Sequence, residues 1–228
     1  MTRPERFRRF LTYFTEHYPE PRTELAYRNP YELIVAVVLS AQCTDKRVNQ
    51  VMPALLAQFP TAAELGAATA DDIFPFIRSV SYPNNKAKHL AGLGWLLTNE
   101  FGGEVPSSIE ELQRLPGVGR KTANVVVSVI YNQPAMAVDT HVFRVSRRLG
   151  LVPQTATTPL AVEKGLVKHI PQALVPKAHH WLILHGRYIC VARSPKCPIC
   201  PLTDFCAAYP KFVAEGVPLN KTATMRNK

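Results

Sequence analysis

Helix-start signals recur along this chain while credible strand patterns are nearly absent, which restricts the fold to packed helices. Thr61-Ala62-Ala63-Glu64 and Ser107-Ser108-Ile109-Glu110 both fit the capping box, in which the first and fourth side chains satisfy each other's orphan backbone donors. Thr158-Pro159 sets a proline at the first helical position, where its missing N–H costs nothing, and Pro4, Pro30 and Pro53 are expected at similar helix edges. The 20 prolines therefore delimit helices more than they disorder the chain. Tyr31 to Ala41 is too apolar for a surface helix and is expected at the centre of the core. Val125 to Ile130 is β-branched enough for a strand, but it follows directly on the helix-initiating Gly119-Arg120-Lys121-Thr122-Ala123, which assigns it to a buried helix. At 228 residues the chain can form one large domain or two modest ones without disulfide staples. The turn-rich Tyr131-Asn132-Gln133-Pro134 is the expected break between two helical lobes. The fold class expected is all-α.

A formal net charge of +10, from 27 Lys+Arg against 17 Asp+Glu, points toward a polyanionic partner. There is no run of about 18 apolar residues, and the charged start Met1-Thr2-Arg3-Pro4-Glu5-Arg6 lacks the apolar core of a signal peptide. A cytoplasmic protein with no membrane association is expected. The polar, basic stretch from Gly216 to Lys228, within a tail running from 211 to 228, is the segment expected to be partly disordered.

The string with most chemical content is Leu115-Pro116-Gly117-Val118-Gly119-Arg120-Lys121-Thr122-Ala123, followed by Val138-Asp139-Thr140-His141. Glycines let backbone N–H groups approach a phosphate with no Cβ in the way, and the helix that follows adds a favourable dipole. Such a grip positions a nucleic-acid backbone without reading its sequence. Lys121, on the first turn of that helix, can be a solvated lysine, a phosphate contact or an amine nucleophile. A nucleophile must be neutral, and a lysine at its ordinary pKa of about 10.4 is only about 0.04% neutral at pH 7. Partial burial, the helix N-terminus and Arg120 all favour the neutral amine, whereas an ionised Asp139 favours the charged one. Asp139 is therefore better cast as a proton relay and a stabiliser of developing positive charge, a role compatible with capping the next helix. The two residues are expected to face each other across a cleft between the lobes.

Cysteine usage is lopsided. Cys43 stands alone, and four others follow the spacing Cys190-x6-Cys197-x2-Cys200-x5-Cys206. Clustered thiols in a chain without a secretory signal point to metal ligation rather than disulfides. The spacing itself allows either a four-thiolate zinc site or an iron–sulfur cluster. Arg193 and Lys196 lie between the first two cysteines, where a metal-tethered turn could hold cations against phosphates.

Residues 115 to 149 resemble the helix-hairpin-helix and Gly/Pro-Asp signature of the endonuclease III family of DNA glycosylases. Leu33 to Asp45 and His179 to Cys190 are similar to the same family, so the resemblance covers nearly the whole chain. It implies a six-helix barrel over 23–133 containing the helix-hairpin-helix at about 107–130. A second lobe, 1–22 plus 134–210, would carry a [4Fe-4S] cluster on Cys190, Cys197, Cys200 and Cys206. A DNA-binding cleft would separate the two. It further implies a monomeric bacterial enzyme, nucleoid-associated, that removes oxidised pyrimidines from double-stranded DNA and nicks abasic sites. Lys121 would attack C1′ to form a Schiff base, followed by β-elimination, with Asp139 assisting. Gln42 would enter the gap left by the extruded base, while Leu115, Gly117, Val118, Gly119, Arg120 and His141 would contact DNA. Ser81-Tyr82-Pro83 departs from the family pattern of glycine, apolar wedge and aromatic, so Tyr82 is expected to stack as the wedge.

Two other functions fit parts of the pattern. A monofunctional mismatch-type glycosylase shares the hairpin, the aspartate and the cluster but lacks the lysine at the position of Lys121. A non-catalytic helix-hairpin-helix DNA-binding module would require neither Lys121 nor Asp139.

Overall fold

The computed structural model describes residues 1–214 and Gly216. Among them there is no strand; in chain order the helices are α1 (Arg3–His17), α2 (Pro30–Ser40), α3 (Asp45–Gln58), α4 (Ala62–Ala67), α5 (Ala70–Ile77), α6 (Pro83–Glu100), α7 (Ile109–Leu112), α8 (Arg120–Tyr131), α9 (Thr140–Leu149), α10 (Pro159–Val167), α11 (Val175–Tyr188) and α12 (Tyr209–Ala214), with short 3-10 turns between the later ones. None is long and apolar enough to cross a membrane.

The chain divides into two compact units, one formed by Thr23–Asn132 and the other by Met1–Arg22 with the residues from Gln133 onward. In the first unit, α2 is buried from Tyr31 through Leu39 and packs on α3, α6 and α8. Its start is fixed by Asn29, whose side chain accepts the Glu32 N–H at 2.9 Å, with Pro30 at the first position. The capping box at Thr61 and Glu64 opens α4, and Thr69 with Asp72 forms a second one at α5. Helices α4 and α6 meet at backbone contact: a Cβ on Gly66 would lie 2.5 Å from Gly94 C, and one on Gly94 2.5 Å from Gly66 N. Each glycine thus serves the crossing rather than its own helix.

In the second unit, Phe7, Phe10 and Phe14 on α1 pack with Trp181 on α11 and with the apolar face of α9. Thr158 caps α10 with Pro159 at its first position. The last turns of α9 carry Arg147 and Arg148 ahead of Gly150, which sits at φ 77 as the left-handed stop.

Three expectations change. Ser108, not Ser107, caps α7, its side chain accepting the Glu111 N–H at 3.1 Å, so the cap lies one residue later than the box pattern indicates. Pro53 lies inside α3 rather than at its edge, because Thr44 already caps that helix from further upstream. The tail expected from 211 is helical through Ala214 as part of α12; nearly all of Gly216–Lys228 lies outside the described residues.

Candidate functional site

The hairpin turn belongs to the Thr23–Asn132 unit and is seated on α6. Gly117 stands at φ 80, and a Cβ there would meet His89 at 3.1 Å; a Cβ on Gly92 would meet Pro116 Cγ at 3.1 Å. Leu115 and Val118, expected to touch DNA, are buried to 2% and 5% and anchor the turn from below. Val118 N–H is also spent on Leu115 O at 3.0 Å, so neither residue offers the outside more than a carbonyl edge. Gly119 differs. Its φ of −87 suits any residue, a Cβ there would meet nothing within 4 Å, and it caps α8 without a side-chain bond. Its bareness keeps open the approach to the first turn of α8, the positive end of that helix. Lys121 stands on that turn, exposed rather than partly buried as expected for a neutral amine.

Gln42 and Tyr82 lie in the same unit. Both are exposed, Tyr82 to 61%, and both are non-glycine residues in the left-handed region, at φ 53 and 55. Ser81 Oγ donates to Gln42 O at 2.7 Å and joins the two segments. Tyr82 caps α6, so it shares a helix with the seat of the hairpin, roughly 15 Å away along the axis from the rise of about 1.5 Å per residue. Cys43, beside Gln42, is a half-buried free thiol.

Asp139 belongs to the other unit. It caps α9, with Oδ1 accepting the Val142 N–H at 2.7 Å. This bond fixes the carboxylate and leaves Oδ2 without a partner among the described residues. His141 is half-buried, its Cβ packed where a Cβ on Gly186 of α11 would come within 2.8 Å. Burial pushes its pKa below the usual histidine value. Arg144, one turn further along the same helix, is tied inward: its donors reach Cys190 O at 3.0 Å, Gly186 O at 2.9 Å and His141 Nδ1 at 3.1 Å.

The four cysteines come together. Cys190, Cys197, Cys200 and Cys206, all free thiols, line one pocket with Leu149, His185 and Lys196. No three Cys, His, Asp or Glu side chains among the described residues converge as one metal ion would require. Four thiols that line one pocket without converging on a single point suit a multi-atom cluster better than a single zinc, which needs all its sulfurs within about 2.3 Å of the metal. Burial drives the Cys200 thiol up to about 12, so a bare thiolate quartet is unfavourable and a cationic centre is needed to hold it deprotonated. Arg148, on α9, supplies a cation from the protein: NH1 lies 3.5 Å from Cys190 Sγ, its other donors bind Val191 O and Ala192 O, and it stacks over Phe212. His185 Nε2 lies 3.7 Å from Cys200 Sγ. Neither residue was marked out in the sequence, where Arg148 reads as an ordinary cation at a helix C-terminus. Arg193 is exposed on the loop between Cys190 and Cys197, and Lys196 is half-buried on the same loop.

Residues 35–172 match the model of the HhH-GPD superfamily of base excision DNA repair proteins. Residues 190–206 match the iron–sulfur binding domain of endonuclease III. The chain is 46% identical over 200 residues to endonuclease III of Bacillus subtilis, covering 88% of this chain and 91% of that protein. It is 41% identical over 196 residues to that of Escherichia coli, covering 86% and 92%. Among solved structures it is similar to a trapped endonuclease III–DNA covalent intermediate, with 45% identity, a TM-score of 0.87, and coverage of 93% of this chain and all of the other. It is also similar to a non-covalent endonuclease III–DNA complex, at 44% identity and a TM-score of 0.88, covering 94% of this chain and all of the other.

Proposed function

The chain belongs to the endonuclease III family of the HhH-GPD superfamily, DNA glycosylases of base excision repair, and from that premise we propose that it removes oxidised pyrimidines from double-stranded DNA and nicks abasic sites by β-elimination. Like its family it binds DNA and carries a [4Fe-4S] cluster. The observation that carries the proposal is Lys121, exposed on the first turn of α8 directly behind the bare cap Gly119. An amine there lies one residue from a ready phosphate grip and is open to an extruded nucleotide. A relative 45% identical has been caught as a covalent intermediate with DNA, which supports covalent chemistry in this chain as well.

In this reading Lys121 Nζ, once it has lost its proton, attacks C1′ of the extruded nucleotide and the base departs as the glycosidic bond breaks. Opening of the sugar ring leaves a Schiff base on Nζ. Loss of a C2′ proton then expels the 3′ phosphate, and water releases the lysine. Asp139, held through Oδ1, offers Oδ2 to relay protons and to steady the cationic sugar. Gly117, Gly119 and Arg120 hold the phosphate backbone, and Gln42 and Tyr82 occupy the gap in the duplex. Cys190, Cys197, Cys200 and Cys206 hold the cluster, with Arg193 and Lys196 presented to phosphates from its loop. Bound there, the cluster supplies a rigid anchor for that loop.

Borohydride reduction of the enzyme on a duplex carrying an abasic site or thymine glycol is expected to yield a covalent complex, and Lys121→Ala none. Trapping that persists in Lys121→Ala would assign the nucleophile elsewhere. Asp139→Asn should fold normally, because asparagine caps as well as aspartate, and bind DNA while excision slows by about 100-fold or more. Unchanged excision would reduce Asp139 to a cap.

A further inference from the structure

Three non-glycine residues adopt left-handed backbone among the described residues: Asn132, Gln42 and Tyr82. Asn132 is an ordinary helix stop of a tolerant residue type. Gln42 stands one residue past the C-cap of α2, where a left-handed residue commonly ends a helix, but Tyr82 precedes a helix, and a tyrosine at positive φ persists only where its surroundings over-determine it. The same two residues are the exposed pair read above as entering the DNA duplex.

The surroundings come down to Lys86. It is only 5% exposed, on the first turn of α6, and its Nζ donates to Leu39 O at 2.8 Å and to Ala41 O at 2.7 Å. These carbonyls lie at the end of α2, where the helix has no donors of its own and the dipole is negative. The backbone N–H of the same lysine donates to Tyr82 O at 3.1 Å. That main-chain bond is the ordinary first bond of α6, which Tyr82 caps, so it is the lysine side chain that ties the start of this helix to the backbone on the near side of Gln42. Ser81 closes the ring from Oγ to Gln42 O at 2.7 Å. A helix end near the surface is ordinarily finished by glycine or water. Burying an ammonium for the purpose is costly, and burial does hold the Lys86 amine below the usual lysine range. The expense fits a demand for fixed geometry beyond a simple cap.

We propose that Lys86 and Ser81 form a clamp that positions Gln42 and Tyr82 as one rigid two-residue probe for the gap in damaged DNA. The proposal rests on the reading of Gln42 and Tyr82 as the residues that enter the duplex. Lys86 acts through them and touches no reacting atom.

The test uses the full-length enzyme with two duplexes, one undamaged and one carrying a stable abasic-site analogue with 2-aminopurine opposite it. The ratio of the two dissociation constants reads discrimination, and 2-aminopurine fluorescence reads unstacking by the probe. Lys86→Met keeps length and removes the donor; the ratio should fall about tenfold, as expected for losing a hydrogen bond from a charged group, with a weaker fluorescence rise. Ser81→Ala should lower the ratio in the same direction by a smaller factor. A role confined to capping α2 would lower the melting temperature and leave both readouts unchanged in the folded variant, and that result overturns the proposal. Should Lys86→Met fail to fold, Ser81→Ala decides on the same two readouts. Gln42→Ala separates the two levels of inference. If it leaves the ratio intact, the reading of Gln42 as a probe fails and the clamp with it. If it lowers the ratio while folded Lys86→Met and Ser81→Ala do not, only the clamp fails.

Discussion

Gly117 and Gly119 flank one residue in the hairpin, yet alanine should affect them in opposite ways. At Gly117 the left-handed φ of 80 costs an L-residue about 1–2 kcal/mol, and the added Cβ would press on His89 at 3.1 Å. A loss of about 1–3 kcal/mol corresponds to a fall of roughly 3–10 °C in melting temperature for a protein of this size. At Gly119 the φ of −87 is ordinary and the space for a Cβ is empty. Alanine there gains about 0.4–1 kcal/mol by restricting the unfolded chain. It loses about as much because alanine is a poorer helix cap than glycine, so the melting temperature should move by no more than about 2 °C. The same methyl would occupy the approach to the first turn of α8. Displacing one charge-assisted N–H to phosphate bond is worth about 1.5–3 kcal/mol, or about 10- to 100-fold in affinity. Since no charge is removed, the slope of affinity against salt should stay that of the wild type. Thermal denaturation and fluorescence anisotropy on an abasic-analogue duplex at several salt concentrations measure all three quantities. Wild-type affinity in a stable Gly119→Ala, or a melting loss as large as that of Gly117→Ala, would refute the separation of grip from scaffold.

Two further perturbations probe the scaffold itself. Gly94→Ala brings a Cβ to 2.5 Å from Gly66 N, too close for any rotamer change to relieve; the helices must part, and a loss of about 2–3 kcal/mol is expected, measured as the shift in urea midpoint. His180 is held down to about 4 by burial and, less strongly, by Arg187. Because its folded pKa lies below the unfolded value of 6.5, its contribution is full above pH 6.5 and is lost as pH falls toward 4, by up to about 3 kcal/mol; His180→Gln should flatten the decline in stability over that window, and an unchanged decline would place the titration elsewhere.

Signals that act within one turn of helix were legible in the sequence. Thr61, Thr158 and Asp139 cap as expected because capping needs only the residue and the next three. Where two candidate caps adjoin, as Ser107 and Ser108 do, the local rule leaves one residue of ambiguity, and the chain resolved it at Ser108. Pro53 misled because an edge signal says nothing about which helix edge is already taken. Contacts made across the fold left far weaker traces. Gly66 and Gly94 carry no local signal of their role, which is set by α4 and α6 touching backbone to backbone. Nothing local in the sequence distinguishes Arg144 and Arg148 from solvated cations on α9, but their guanidinium groups turn inward to the carbonyls and sulfur of the Cys190 loop. Even the hairpin divides this way: its string identified the grip, while the inward faces of Leu115 and Val118 emerged only from packing. Lys86 is the extreme case, a charged residue on a helix first turn, where sequence reasoning assigns a solvated side chain. That it is instead buried on the end of α2 is visible only in the fold, where its Nζ meets the Leu39 and Ala41 carbonyls. In this family member the residues proposed to touch DNA are therefore the easier ones to find, and those proposed to hold them in place require the three-dimensional fold.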